Sequence, residues 1–92
     1  MVKKDKIREM LRHDGNQRVL DEIAKFSVYT EAKLHRIYVI GAVASKVFSG
    51  KRDKVSRVKT SIELLCSPEY KILDCDEDHI IVTEATLRYA SK

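Results

Sequence analysis

Apolar residues recur at helical spacing over most of this chain and cluster like strands only near its C-terminal end. Over residues 3–13, Ile7, Met10 and Leu11 stand at i, i+3 and i+4, predicting an amphipathic helix. Asp14-Gly15-Asn16 reads as its stop, with Gly15 suited to a left-handed C′ position and Asn16 able to cap a following helix. A helix unbroken through Gly15 would cost about 1 kcal/mol relative to alanine. Over 17–26, Val19, Leu20, Ile23 and Phe26 share one face, predicting a second helix. Residues 27–30 have short β character, and Thr30 is a good N-cap for a helix over 31–49, with Glu31 in its first turn. Leu34, Ile37, Tyr38, Val39, Ile40, Val43, Val47 and Phe48 cover most of that helix, which predicts a buried central element, although the β-branched run 37–40 also suits a strand.

After a charged loop at 50–54, Val55, Val58, Ile62 and Leu65 form a one-sided stripe, predicting a helix over 53–66 that ends before Pro68. Residues 70–73 and 79–84 read as the arms of a hairpin joined by Asp74-Cys75-Asp76-Glu77-Asp78, since Asp tolerates turn geometry and bonds its own backbone. A short last helix follows over 85–92, starting near Thr83 or Glu84. The pattern predicts one domain spanning 1–92, of the α+β class and mostly helical: a three-helix core, a C-terminal β-hairpin and a short terminal helix. The middle helix, apolar on most faces, needs more cover than a chain of 92 residues readily supplies. That favours a homodimer or a partner-bound form.

Charge is unevenly placed. Residues 1–60 hold 15 Lys/Arg against 7 Asp/Glu, and residues 61–92 hold 3 against 7, so a basic body carries an acidic end. Lys46, Lys51, Arg52, Lys54, Arg57 and Lys59 gather around the loop and first turns of helix 53–66, opposed there only by Asp53. Cations in such a cluster fix register on phosphates, while Ser and Thr bond base edges or phosphates. A solvated helix face is the plainer alternative.

The acidic knot of Asp74, Cys75, Asp76, Glu77, Asp78 and His79 lacks the paired spacing of a structural zinc site, and it has neither the glycine nor the terminal glutamate of a calcium loop. It reads as a solvated hairpin tip, with no metal and no cofactor. His13, His35 and His79 lie apart and no glycine-rich nucleophile turn accompanies them, so no catalytic residues are expected and the chain is read as not an enzyme. His35 is expected as a half-buried residue of the middle helix, and His13 as a cation at a helix C-terminus. The charged N-terminus carries no secretory signal and no stretch approaches the ~20 apolar residues of a bilayer span. A cytoplasmic protein without membrane contact is expected, with Cys66 and Cys75 as two reduced thiols.

The element order, and above all the stretch DKVSRVKTSIELLCSPEYKILDCDEDHIIVTEATLRYA from residue 53, resembles the winged helix-turn-helix domain of prokaryotic transcriptional regulators. In that family a helix with small polar and basic outward residues precedes the first wing strand. The second wing strand runs into a helix start like Thr83-Glu84-Ala85-Thr86-Leu87-Arg88-Tyr89. The resemblance is clearest over 53–90 and implies a small regulator binding double-stranded DNA. Ser56, Arg57, Lys59, Thr60 and Ser61 would lie on its recognition helix, and Lys51, Arg52 and Lys54 in the preceding turn near phosphates. Two features depart from the family pattern: a longer middle helix, and an acidic wing tip where DNA-touching wings carry Arg or Lys. A non-enzymatic accessory domain, whose basic face and acidic hairpin meet partner proteins, is the competing expectation.

Overall fold

The computed structural model describes residues 2–48 and 52–91; for Val2, Lys3, Phe48, Arg52, Asp53 and Lys54 only the backbone is described. The chain runs α1 (Val2–Leu11), α2 (Asn16–Ala24), β1 (Lys33–His35), α3 (Arg36–Phe48), α4 (Arg52–Cys66), β2 (Leu73–Cys75), β3 (His79–Val82) and α5 (Glu84–Tyr89). The fold is α+β and mostly helical, as the hydrophobic pattern predicts, with α2, α3 and α4 packed together beside a small antiparallel sheet.

The one-sided stripes become the core. Val19, Leu20 and Ile23 of α2 are fully buried against Val39 and Val43 of α3 and Val58, Ile62 and Leu65 of α4. The sheet closes the core from one end. Its order is β1-β3-β2, so β3 is central and alternates in burial: Ile80 and Val82 point inward while His79 and Ile81 are only half-buried. That alternation is the period-two signature of a sheet with one packed face.

Two parts differ from the pattern-based expectation. The β character assigned to 27–30 falls on turns, and the strand lies at Lys33–His35, inside the span predicted as helix from residue 31. Glu31 has φ 65°, a left-handed conformation that stops any helix there. Its N–H donates to the Val82 carbonyl (2.6 Å) and the Val82 N–H donates to the Ala32 carbonyl (3.0 Å), which leads the chain into β1. Lys33, Leu34 and His35 then pair with Ile81, Ile80 and His79. Tertiary pairing overrides local pattern here. The middle helix is therefore shorter than expected, and it is not buried all round. Val39, Ile40, Val43, Ala44 and Val47 face the core, but Ile37 and Tyr38 are 76% and 67% exposed.

The Asp14-Gly15 stop is present, with both residues at positive φ (55° and 73°). Asn16 is not a side-chain cap for α2. It is buried, its Nδ2 donates to the Met10 carbonyl at the end of α1 (2.9 Å), and its Oδ1 accepts from the Ser61 hydroxyl of α4 (2.7 Å). One amide thus adds a second donor to the Met10 carbonyl, which also accepts from the His13 N–H (3.2 Å), and satisfies a buried hydroxyl across three helices.

Cys66 and Cys75 are not separate thiols. They form a disulfide with Cα atoms 6.1 Å apart. The Ile72 N–H donates to the Leu65 carbonyl (2.9 Å), which folds the chain back so that β2 meets the last turn of α4. At the other end of the hairpin, α5 opens on a capping box. The Thr83 hydroxyl accepts from the Thr86 N–H, the Thr86 hydroxyl accepts from the Thr83 N–H, and both hydroxyls donate to the buried Ile72 carbonyl.

Replacing Asn16 with Ala strands the buried Ser61 hydroxyl and removes one of the two donors to the Met10 carbonyl, and urea unfolding is expected to show a loss of about 1–3 kcal/mol. The Cys66–Cys75 bond closes a short loop, separated by 9 residues. Its reduction is expected to lower stability by about 2–3 kcal/mol through loop entropy. Thiol titration of the unfolded protein before and after reductant checks the starting state: no free thiol, then two.

Candidate nucleic-acid interface

The outer face of α4 is set by its inner one. Val58, Ile62 and Leu65 are buried, so Ser56, Arg57, Lys59 and Thr60 turn outward and are exposed. Of the eight residues singled out by sequence, these four come together on one surface. The Thr60 hydroxyl donates to the Ser56 carbonyl within the helix (3.0 Å), a local bond that leaves its lone pairs outward. Lys51 lies outside the described residues, as do the side chains of Arg52 and Lys54.

Ser61 belongs elsewhere. It is 2% exposed and bonded to Asn16, so it faces the core and is withdrawn from the interface. The signal was in the chain: Ser61 stands three residues after Val58 and four before Leu65, within the inward stripe.

Arg57 is partly committed. Its guanidinium donates to the Asp14 carboxylate at the α1–α2 corner (2.8 Å), with Arg57 42% and Asp14 71% exposed. Sequence reading missed Asp14 as part of this surface, because 43 residues separate it from Arg57. An exposed pair like this contributes little to stability, but it fixes where the guanidinium sits. Asp14, Arg57, Thr60 and Leu64 line a shallow pocket there, floored by Asn16 and Ser61. Two further ion pairs offset charge around α4: Lys6 to Glu69 (2.7 Å) and Arg36 to Glu63 (4.0 Å). The Lys6 ammonium is held above its ordinary pKa by its hydrogen bond to Glu69.

The hairpin tip is shorter than the five-residue link predicted: Asp74 and Cys75 belong to β2, leaving Asp76, Glu77 and Asp78. The Asp76 carboxylate accepts from the Asp78 and His79 backbone N–H groups (3.0 and 2.7 Å), and the Asp76 N–H donates to the His79 carbonyl (3.0 Å). That is the self-bonded turn expected of aspartate. His35, expected on the middle helix, is exposed on β1 directly opposite His79, with ring centroids 5.9 Å apart. Among the described residues, no three metal-ligating side chains converge. Nor is any helix among them long and apolar enough to cross a membrane.

Comparison with known protein families, with curated proteins and with solved structures returns no match.

The His79 N–H bond holds the Asp76 carboxyl below its ordinary value of 3.8, helped by the Asp78 N–H. A depressed carboxyl pKa stabilises the fold above the unfolded-state value and loses that effect as pH falls through the folded one. The thermal midpoint of Asp76→Ala is therefore expected to lie below that of the unsubstituted protein at pH 6. The gap is expected to narrow as the pH falls below 3.8, measured by circular dichroism melts across the acid range.

Proposed function

We propose that this chain is a small, non-enzymatic DNA-binding regulatory protein of the winged helix-turn-helix kind, with α4 as its recognition helix. The observation that carries the reading is the outer face of α4. There Ser56, Arg57, Lys59 and Thr60 form one exposed polar and basic surface on a helix whose opposite side is anchored in the core. Such a helix suits the major groove, with its cations on phosphates and its hydroxyls within reach of base edges. The arrangement of α3, α4 and a β2–β3 hairpin, with β1 added to the far side of β3, supports the same reading. The backbone that continues into α4 carries Lys51, Arg52 and Lys54 in sequence, and these would add phosphate contacts.

The hairpin plays a different part from a basic wing. Asp76, Glu77 and Asp78 at its tip would be repelled by phosphates, so on this reading the tip points away from the duplex. The same carboxylates favour a second reading, an accessory domain whose basic face and acidic hairpin meet partner proteins.

Fluorescence-anisotropy titration with a random-sequence duplex at low and near-physiological salt tests the first reading. Binding is expected to weaken steeply with salt. The double substitution of Arg57 and Lys59 by Ala should weaken it several-fold and reduce the salt slope by about 2. Asp14→Asn gives the opposite sign: it releases Arg57 and removes a carboxylate from the face, so binding should tighten. No binding at low salt would refute the DNA reading and leave the protein-partner one.

A further inference from the structure

The large apolar side chains exposed among the described residues all lie between the end of α2 and the first turn of α3: Phe26 (37%), Val28 (72%), Tyr29 (75%), Ile37 (76%) and Tyr38 (67%). The Phe26 and Tyr38 rings meet edge to face with centroids 6.1 Å apart, yet Tyr38 keeps two-thirds of its surface in water. The two rings and Ala42 line a groove whose rim carries Glu22, Lys25 and Lys46. Side chains of this size expose 150–250 Å² each when free, so the set offers roughly 600 Å² of mainly apolar surface, at the upper end of what an isolated domain shows.

The same face of α3 carries an oddity that no contact among the described residues explains. Gly41 sits one turn after Ile37, is exposed, and a Cβ built on it meets nothing within 4 Å. A glycine inside a helix weakens it relative to alanine, and among the described residues no neighbour requires its small size. Ser45, one turn further, is exposed too. A bare helix backbone flanked by large apolar side chains is what a second helix needs for close approach.

We propose that the α3 face is a homodimer interface, in which α3 crosses α3 of a second copy antiparallel about Gly41. A two-fold axis there sets glycine on glycine, where the backbones come closest, and Ile37 against Ser45 of the second copy. Lys46 then faces Tyr38 of the second copy, within reach of a cation–π contact. The rim favours this occupant over others. It holds both signs, with Lys25 paired to Glu22 (2.8 Å) and Lys46 beside them, so it complements its own two-fold image. A nucleic acid or an acidic protein would meet Glu22 with repulsion. The exposed apolar set, if covered together, would supply most of the ~800 Å² per partner that a specific interface buries. The interface uses none of Ser56, Arg57, Lys59 and Thr60, and it does not rest on DNA binding.

Sedimentation equilibrium of the whole chain without nucleic acid tests it. The mass is expected to rise with concentration from 10.6 kDa towards twice that value. Ile37→Glu and Gly41→Gln should each weaken association at least about tenfold. Circular dichroism should show both variants folded, since Gly41→Gln improves helix propensity at an open site. A single 10.6 kDa species up to about 1 mM would overturn the proposal. So would a dimer whose dissociation constant neither substitution moves.

Discussion

The buried amide of Asn16 is the contact on which the helical half depends. Three helices meet there: α1 ends on its Nδ2, α2 begins with its backbone, and α4 is tied to its Oδ1 through Ser61. The positive-φ pair Asp14-Gly15 reverses the chain tightly enough to deliver Asn16 inside. A buried polar group costs free energy unless its partners are in place, so this network works only with all three helices in one register. The outer face of α4 inherits that precision, because Arg57 reaches Asp14, two residues before the amide.

The sheet imposes the second constraint. β3 bonds to both neighbours, and its inward residues Ile80 and Val82 complete the core that the helices leave open. Two cross-connections hold the hairpin to the body: the Cys66–Cys75 bond at one side, and the Thr83 and Thr86 hydroxyls on the Ile72 carbonyl at the other. The acidic tip projects from a rigid base.

What could be read from sequence follows from how one-sided each segment is. The stripe Val55, Val58, Ile62, Leu65 has a single solution, and α4 follows it closely. The start of the last helix near Thr83 or Glu84 was legible too, and the structure makes Thr83 its cap. Lys33-Leu34-His35 was opaque, since three residues hold too little pattern to compete with the helix beside them. Only pairing with the distant residues Ile81, Ile80 and His79 makes them a strand. The middle helix misled for a related reason: Ile37 and Tyr38 are apolar, and pattern alone does not distinguish a side chain facing the core from one facing water. The site was half legible. Arg57, Lys59 and Thr60 fall off the stripe and do face outward, whereas Ser56 was singled out only by the family resemblance. Ser61 sits within the inward stripe and its spacing alone would have excluded it, whereas Asp14 depended on a tertiary contact across the α1–α2 corner.

The placement of β3 also governs the order in which the chain becomes a protein. The strand that pairs with residues 33–35 lies at 79–82, so β1 has no partner until those residues have left the ribosome. During synthesis α1 to α4 exist without the residues that seal them, and their apolar stripes remain open to other chains. Loop closure of this length also slows folding relative to a helical bundle with only local contacts. A nascent chain stalled before residue 79 would therefore present an unfinished core, and release of the last strand is the step that closes it.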